Sequence, residues 1–286
     1  MKGIVLAGGS GSRLWPITRG TSKQLLAIYD KPLIHYPIAT LMLAGIREIL
    51  IITTREDQES FMRLLGDGSE IGIILRYEVQ AKPEGLAQAF IIGESFINKE
   101  NVALILGDNI FHGSGLGTQL EMYQNISGAQ IFAYKVTDPN RYGIVEFDTL
   151  GKVISIEEKP KMPKSSFAIP GLYFYDSDVV DIAKGVVPST RGELEITSIN
   201  QAYLKEGRLD TKVLERGTVW LDTGTPESLF AAASYVRVIE ERQGLKIACL
   251  EEIAWNRGWI SNKEMIQLAN NYGSSPYGTY LSNLLI

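Results

Sequence analysis

The sequence predicts an α/β fold in which a mostly parallel sheet carries helices on both faces. Two observations lead to this prediction. Over roughly the first hundred residues, short apolar runs of strand length alternate with segments whose apolar residues recur at helical spacing. The chain has 286 residues, of which 45% are hydrophobic, so it has enough apolar material for a large core.

The first half of the chain is predicted to alternate between strands and helices. An apolar strand at residues 4–7 is followed by an isoleucine-rich strand at residues 48–53. The helix between them, over residues 34–44, ends before Gly45 and has Pro37 in its first turn, where a missing N–H does no harm. We expect the later elements to be a helix at 56–65, a strand at 71–79, a helix at 86–96 and a strand at 102–106.

The second half changes character near residue 130. Strands joined by turns are predicted at residues 131–136, 143–147, 153–157 and 171–175. A helix is expected from Gly192 to about Glu206, with acidic residues in its first turn, and strands follow at 212–214 and 218–221. Thr225 and Pro226 suit the N-cap and first position of a further helix. We therefore predict a core over residues 1–224, divided near residue 110, and a helical region over residues 225–286.

Composition and charge exclude several classes of protein. The net charge is −5 and no basic block stands out, which argues against nucleic acid or an anionic membrane as a partner. No stretch approaches the ~20 apolar residues of a membrane span. Cys249 is the only cysteine, so no intrachain disulfide can form and a cytoplasmic location is the simple interpretation. His35 and His112 stand apart from each other and from Cys249, which argues against a transition-metal site.

A glycine-rich turn follows the first apolar strand and is the first candidate site. Gly8, Gly9 and Gly11 precede the cations Arg13 and Lys23. Glycines let backbone N–H groups approach an anion, and the two cations can bind the same phosphate oxygens. The stretch matches neither the dinucleotide fingerprint nor the nucleoside-triphosphatase loop. By itself it is also compatible with an ordinary surface turn.

Two aspartates lie where predicted strands end, and both are candidate metal ligands. Asp108 follows the strand at 102–106, and Asp222 follows the strand at 218–221. Carboxylate oxygens suit Mg²⁺, which usually takes one or two carboxylates together with substrate phosphates. The alternative for each aspartate is a turn or a helix cap. Gln80 and Gly85, which follow another strand, are candidates to contact a nucleotide base.

Taken together, these motifs resemble those of the sugar-nucleotide pyrophosphorylases, most closely the glucose-1-phosphate thymidylyltransferases. The resemblance runs nearly end to end, and its strings are residues 6–14, 22–26, 85–89, 106–109, 141–143, 157–160, 171–175, 191–197 and 220–225. It implies a Rossmann-like core with a sugar-binding β-rich part and a homotetramer. The implied reaction is attack of glucose 1-phosphate on the α-phosphorus of dTTP, which gives dTDP-glucose and pyrophosphate. It also implies feedback by a dTDP-sugar at a second nucleotide site that includes the tail.

The resemblance assigns roles to individual residues. Asp108 and Asp222 would hold Mg²⁺, while Arg13 and Lys23 would stabilise the α-phosphate and the departing pyrophosphate. Gln80 and Gly85 would recognise thymine, and Lys159 would lie near the sugar phosphate. Gly143, Glu158 and Ile169 would line the sugar pocket. The remaining expected substrate-binding residues are Gly8, Gly9, Gly11, Ser12, Gln24 and Asn109.

Three alternatives stay open at this point. The first is a sister enzyme that prefers UTP. Uracil lacks only the methyl group of thymine, and a methyl group changes the free energy of substrate discrimination by only ~1–3 kcal/mol. A non-catalytic sensor of sugar nucleotides would not need Arg13, Lys23 and both aspartates, all of which are present. A glycosyltransferase would usually show Asp-x-Asp after a strand, where this chain has Asp108-Asn109-Ile110. Pro170, beside the expected sugar pocket, replaces a common threonine and leaves the sugar preference open.

Overall fold

The computed structural model describes residues 1–9 and 11–286. The strands within these residues are β1 (Lys2–Ala7), β2 (Ala27–Ile28), β3 (Lys31–Pro32), β4 (Glu48–Thr53), β5 (Ile74–Val79), β6 (Val102–Leu106), β7 (Asn109–His112), β8 (Ala129–Lys135), β9 (Gly143–Phe147), β10 (Val153–Glu158), β11 (Phe167–Ala168), β12 (Leu172–Tyr175), β13 (Leu209–Val213) and β14 (Val219–Asp222). The helices are α1 (His35–Leu43), α2 (Gln58–Leu65), α3 (Gln88–Ile92), α4 (Glu94–Ile97), α5 (Leu116–Glu121), α6 (Val179–Lys184), α7 (Ile196–Lys205), α8 (Pro226–Gln243), α9 (Leu250–Asn256), α10 (Asn262–Asn271) and α11 (Pro276–Asn283).

One large sheet organises the molecule, in the strand order β10-β9-β11-β8-β12-β6-β1-β4-β5, with β13 paired to β8. Strand β1 lies between β6 and β4, and all three run parallel, as does β5. Beyond β6, the sheet continues through antiparallel pairs such as β12 with β6. The predicted α/β class is therefore confirmed, and its β-rich part is the antiparallel extension of the same sheet.

The central strands are apolar on both faces because helices cover both faces. In β1 and β4, residues such as Ile4, Val5, Ile49 and Ile51 are completely buried, which accounts for their continuous apolar runs. Separate clusters of buried side chains lie on the two sides of the sheet, and a third lies under α8. No helix within residues 1–9 and 11–286 is long and apolar enough to span a bilayer.

Several predicted elements have different bounds in the structure. The strand expected at 71–79 begins only at Ile74, because a short 3₁₀ turn lies between Gly68 and Gly72, both at positive φ. The helix expected at 86–96 is two short helices, α3 and α4, which meet at Gly93. Strand β13 begins at Leu209, earlier than expected, where it pairs in parallel with β8.

The helix expected from Gly192 begins only at Ile196, so this prediction was wrong for residues 192–195. Gly192 has a φ of +75°, and Glu195 is extended. The backbone of Leu194 bonds outside the helix, donating to the Glu84 carbonyl at 2.6 Å and accepting from the Ala87 N–H at 3.0 Å. This pairing holds residues 192–195 as a loop, and their acidic side chains lie outside the first helical turn.

The tail is helical, as predicted, and a set of buried charges joins it to the core. Thr225 caps α8 through a hydrogen bond from the Ser228 N–H, with Pro226 in the first turn, which confirms the predicted cap. Near the other end of α8, Glu240 accepts from Lys31 Nζ at 2.9 Å and lies 3.4 Å from Lys246 Nζ. Asp30 contacts both lysines. The division of the chain near residues 110 and 224 stays a prediction.

Candidate active site

Two adjoining cavities lie beyond the carboxyl ends of the parallel strands. The larger, of about 480 Å³, takes its walls from the glycine-rich turn, the end of β6 and the loops near residues 80–86 and 191–195. The smaller, of about 170 Å³, extends towards β9, β12 and β14. Predicted site residues that line at least one of them are Gly9, Gly11, Ser12, Arg13, Lys23, Gln24, Gln80, Gly85, Asp108, Asn109, Gly143, Glu158, Lys159, Ile169 and Asp222.

The glycine-rich turn presents open backbone to the larger cavity. A Cβ on Gly9 would meet nothing within 4 Å, and Gly11 has a φ of +61°, a conformation that favours glycine. Gly8 behaves differently, because a Cβ there would collide with the side-chain oxygen of Gln80. Gly8 does not line either cavity, so the structure brings it against Gln80 and not into the open space.

Arg13 is an exposed cation that lines both cavities. It lies in a short 3₁₀ turn, Ser12–Leu14, directly after the glycines. A Cβ on Gly224 would be 3.4 Å from Arg13 Nη1 and 3.4 Å from Asp222 Oδ2, so the guanidinium lies near the second aspartate. Within residues 1–9 and 11–286, Arg13 forms no ion pair, which leaves its donors available to a bound phosphate.

Lys23 forms an ion pair with Asp108 at the floor of the larger cavity. Burial acts to raise the pKa of the Asp108 carboxyl, but the Lys23 ammonium and hydrogen bonds from Lys23 and Asn109 hold that pKa below its ordinary value. Asp108 is therefore a carboxylate at neutral pH. The carboxylate can bind a divalent cation while the neighbouring Lys23 ammonium binds a phosphate.

Asn109 is buried behind Asp108 and fixes its direction. Its Nδ2 donates to Asp108 Oδ1 at 2.7 Å, while its Oδ1 accepts from Trp220 Nε1 at 2.6 Å and from the Gly171 N–H at 3.1 Å. These partners use most of the amide's hydrogen-bonding capacity. The structure therefore gives Asn109 an orienting position, and its expected contact with substrate stays a prediction.

Strand pairing brings Asp222 to the same place as Asp108. Strands β7 and β14 are antiparallel, and Asp222 lies directly opposite Asn109. Thr223 donates its N–H and its hydroxyl to the Asp108 carbonyl, at 3.1 and 3.0 Å. The two predicted metal ligands, which are remote in the sequence, thus lie on paired chain segments.

Both oxygens of the Asp222 carboxylate already have partners, and neither partner was assigned a role from the sequence. The Tyr142 hydroxyl donates to Oδ1 at 3.0 Å, and Arg141 Nη2 donates to Oδ2 at 3.0 Å. Burial and the neighbouring Asp222 carboxylate raise the pKa of Tyr142, so its hydroxyl stays protonated. The signal in the sequence that could have identified these two residues is their position directly before the strand predicted at residues 143–147.

The smaller cavity has a polar wall suited to hydroxyl groups. The Thr197 hydroxyl donates to Glu158 Oε2 at 2.5 Å, and a Cβ on Gly143 would come within 3.3 Å of the same carboxylate oxygen. The Gly143 carbonyl accepts from the Ile169 N–H at 2.8 Å. Lys159, next to Glu158, is exposed and points its ammonium to within 3.8 Å of Glu158 Oε1.

Arg191, Glu193 and Glu195 also line the larger cavity, and sequence reasoning missed them. Arg191 lies 2.5 Å from Glu193, 3.7 Å from Glu195 and 3.7 Å from Glu158. Assigning residues 192–195 to a helix concealed this group, since acidic residues are ordinary in a first turn. The loop conformation instead places the cation Arg191 in the wall of the larger cavity, 3.7 Å from Glu158.

The far end of the larger cavity is formed by the loop after β5. Gln80 is buried, and its Nε2 donates to Gln88 Oε1 at 2.6 Å and to the Gly85 carbonyl at 3.4 Å. Gln88 in turn donates to Glu84 at 3.0 Å. This chain of amides fixes the direction of the Gln80 side chain, which suits it to recognising a planar group with hydrogen-bonding edges.

A further cavity, of about 450 Å³, lies between α1, the segment after β7 and α9. It carries the cations Lys246 and Arg257 and contains His112, whose Nδ1 lies 2.7 Å from the Tyr235 hydroxyl. His112 is therefore held by a tyrosine, and it lines the same cavity as Cys249, so the two residues are not as far apart as the sequence suggested. The argument against a transition-metal site stays a prediction.

The donors at the active site fit Mg²⁺. Asp108 and Asp222 offer hard carboxylate oxygens, each with a cation beside it, and no nitrogen or sulfur ligand adjoins them in the described cavities. Because the part of the chain that is described holds no larger ligand group, a metal here would complete its coordination with substrate phosphates and water.

Comparisons with known proteins show which family the chain resembles over its length. A family model described as "Nucleotidyl transferase" matches residues 2–238. The glucose-1-phosphate thymidylyltransferase of Mycobacterium tuberculosis H37Rv is 58% identical over 285 residues, covering 100% of this chain and 99% of that protein. The enzyme of the same name from Neisseria meningitidis is 57% identical over 286 residues, with 100% and 99% coverage.

Solved structures show the same fold. A Bacillus anthracis protein, described as a glucose-1-phosphate thymidylyltransferase in complex with sucrose, superposes with a TM-score of 0.77 at 43% identity, over 83% of this chain and 95% of that chain. A UDP-glucose pyrophosphorylase complexed with UDP-glucose gives 0.74 at 25% identity, over 83% and 98%. The chain therefore belongs to the nucleotidyl transferase family. Within it, the chain belongs with the glucose-1-phosphate thymidylyltransferases, as the sequence motifs indicated.

Proposed function

We propose that the protein transfers the thymidylyl group of dTTP to glucose 1-phosphate, with Mg²⁺ as cofactor. The observation that carries this proposal is that Asp108 and Asp222, each paired with a cation, both line the smaller cavity with its hydroxyl-binding wall. Asp108 also lines the larger cavity, which has open glycine backbone. An oxygen of the sugar phosphate bonds to the α-phosphorus of dTTP. The bond from that phosphorus to the oxygen bridging to the β-phosphorus breaks, and pyrophosphate leaves.

The nucleotide occupies the larger cavity in this proposal. Amides of the glycine-rich turn and the donors of Arg13 and Lys23 hold the triphosphate, and Arg13 stabilises the negative charge that grows on the departing pyrophosphate. Gln80 and Gly85 contact thymine. Mg²⁺, when bound, neutralises charge on the nucleotide phosphates, and Asp108 and Asp222 are the residues that would hold it.

Glucose 1-phosphate occupies the smaller cavity. The Glu158 carboxylate accepts hydrogen bonds from sugar hydroxyls, Ile169 supplies an apolar wall, and the absence of a Cβ on Gly143 leaves room for the ring. Lys159 lines both cavities and Arg191 lines the larger one, and their charges orient the sugar phosphate towards the α-phosphorus. No protein nucleophile is needed, because the reaction is a single displacement aided by positioning and charge.

Measurement of pyrophosphate release tests the substrates directly. We expect release from dTTP with glucose 1-phosphate, at a higher kcat/KM than from UTP. The relatives at 57–58% identity are thymidylyltransferases, whereas the UDP-glucose pyrophosphorylase is 25% identical, and this difference favours dTTP. A higher kcat/KM with UTP would support the sister enzyme, and release from neither nucleotide would contradict the proposal.

A second nucleotide site and a homotetramer form the regulatory part of this proposal. The cavity of about 450 Å³ beside the tail is supported as a dTDP-sugar site by its cations Lys246 and Arg257. Phe230 and Val238 lie two turns apart on α8 and are 76% and 55% exposed, which supports self-association.

Two measurements test this regulatory part. Sedimentation gives the number of chains in the assembly, and weaker binding of a dTDP-sugar to Arg257→Gln than to the wild type would support the second nucleotide site. A cytoplasmic location, which a single free thiol suits, is part of the same proposal.

A further inference from the structure

The Asp222 carboxylate is held by two consecutive residues of different chemical character. Tyr142 donates a neutral hydroxyl to Oδ1, and Arg141 donates a charged guanidinium nitrogen to Oδ2, both at 3.0 Å. The two residues precede β9 directly, so a single short segment contacts both oxygens. An arriving divalent cation must therefore share this carboxylate with these two residues or displace one of them.

The tyrosine contact is compatible with a metal on Asp222. A carboxylate oxygen that accepts one hydrogen bond keeps a further lone pair for a cation. The Tyr142 ring also packs edge to face on Trp220, with centroids 5.1 Å apart, and its carbonyl accepts from the Lys159 N–H at 3.0 Å. Tyr142 is thus fixed from several sides, as expected for a residue that orients a metal ligand.

The arginine contact, in contrast, opposes the binding of a metal to Asp222. A guanidinium 3.0 Å from Asp222 Oδ2 would place its positive charge within a few ångströms of any cation on that carboxylate, and the two charges would repel. Arg141 is 40% exposed, and its Nη1 lies 3.0 Å from Asp138 Oδ2, so a second carboxylate is available to it. The guanidinium can therefore leave Asp222 without losing all of its ionic partners.

We propose that Arg141 is the resident counter-ion of Asp222, which a divalent cation displaces, whereas Tyr142 keeps the carboxylate in the orientation that the metal requires. Arg141 is then a positioning residue that neutralises Asp222 until metal and substrate arrive, and it keeps only its contact with Asp138 when they do. This inference rests on the metal role of Asp222 in the proposed function.

Binding of Mn²⁺ alone to the full-length protein separates the two neighbours, because they should act in opposite directions. The free Mn²⁺ signal is followed by electron paramagnetic resonance for the wild type, Arg141→Gln, Arg141→Lys, Tyr142→Phe and Asp222→Asn. Arg141→Gln should tighten Mn²⁺ binding by about threefold to tenfold, the modest effect of removing a partly exposed ionic competitor. Arg141→Lys keeps the charge and should stay near the wild type. Tyr142→Phe should weaken binding by about tenfold.

Each outcome decides one part of the inference. Weaker, unchanged or undetectable Mn²⁺ binding in Arg141→Gln overturns the counter-ion role, because loss of a competitor must strengthen binding. If Arg191→Gln tightens Mn²⁺ binding as much as Arg141→Gln does, the counter-ion role is also overturned. The effect would then come from lowering the total positive charge of the cavity and not from a specific contact with Asp222. Unchanged binding in Asp222→Asn instead contradicts the metal role of Asp222, and therefore the proposed function itself.

Discussion

Thr223 donates its backbone N–H and its hydroxyl to the carbonyl oxygen of Asp108, at 3.1 and 3.0 Å, although the two residues are 115 positions apart in the chain. This double contact lies at the end of the β7–β14 pair, which sets Asp222 opposite Asn109. Backbone pairing therefore positions the two carboxylates of the site.

Replacing Asp222 by asparagine should abolish most of the activity and leave the fold intact. The variant keeps the shape of the side chain but removes the negative charge, which should cost several kcal/mol of transition-state stabilisation. Turnover at saturating Mg²⁺ and far-UV circular dichroism give the two readouts. Asp210→Asn, on exposed β13, is the matched control. Near wild-type kcat in Asp222→Asn would count against a metal ligand at this position.

Replacing Arg13 by alanine should lower kcat by about 10²- to 10³-fold, the cost of losing one preorganised donor to developing charge. Arg19→Ala is a suitable control, because the Arg19 guanidinium lies over the Trp15 ring and does not line the cavities. Initial rates over a range of dTTP concentrations separate the effect on kcat from the effect on the KM for dTTP. If only KM rises, Arg13 holds the ground-state nucleotide and does not stabilise the transition state.

Replacing Glu158 by glutamine should weaken use of glucose 1-phosphate selectively. A hydrogen bond to a charged group is worth about 1.5–3 kcal/mol, so kcat/KM for the sugar phosphate should fall by about tenfold to a hundredfold. The KM for dTTP should hardly change. Glu157→Gln alters the adjacent, exposed carboxylate and serves as the control. An equal loss in both variants, or a rise confined to the KM for dTTP, would place Glu158 outside the sugar pocket.

The buried imidazole of His35 should make the fold sensitive to acid. Burial lowers the pKa of His35 from 6.5 to about 4, and neither ring nitrogen has a hydrogen-bond partner among the described residues. As pH falls below 6.5, the unfolded chain binds the proton first, so protonation favours unfolding. The free energy of unfolding should therefore drop by about 2 kcal/mol between about pH 7 and about pH 5 because of this one group.

Urea unfolding of His35→Leu at both pH values checks this prediction. Between the two pH values, the free energy of unfolding of the variant should fall by about 2 kcal/mol less than that of the wild type, whatever the variant's absolute stability. His112→Asn is the control, since His112 is only half-buried and hydrogen-bonded to Tyr235. An identical pH dependence in His35→Leu and the wild type would show that His35 does not set the acid response.

Much of the parallel half of the fold was predictable from local pattern. The structure confirms the strand predicted at residues 48–53 as β4, because an apolar run that is buried on both faces is recognisable without its neighbours. The helix predicted at 34–44 is α1, and Gly45 follows it at a φ of +79°. Predictions failed where glycines interrupt a periodic pattern, as at Gly72 and Gly93.

The contacts within the site were much less predictable, because they join distant parts of the chain. Sequence motifs singled out Asp108 and Asp222, but no local signal indicates that β14 pairs with β7 or that Arg141 and Tyr142 share one carboxylate. The acidic residues before α7 were interpreted as helix-terminal charges, since the pairing of Leu194 with the Glu84 loop is also long-range. The assignment of individual substrate contacts stays a prediction.

The pairing of β14 with β7 has a consequence for how the protein is made. A ribosome that has translated the chain only as far as β13 has already produced the glycine-rich turn, Lys23 and Asp108. At that stage Asn109 lacks its indole partner and Asp108 lacks Thr223. The paired arrangement of Asp108, Asn109 and Asp222 can therefore form only after β14 has been synthesised, late in translation.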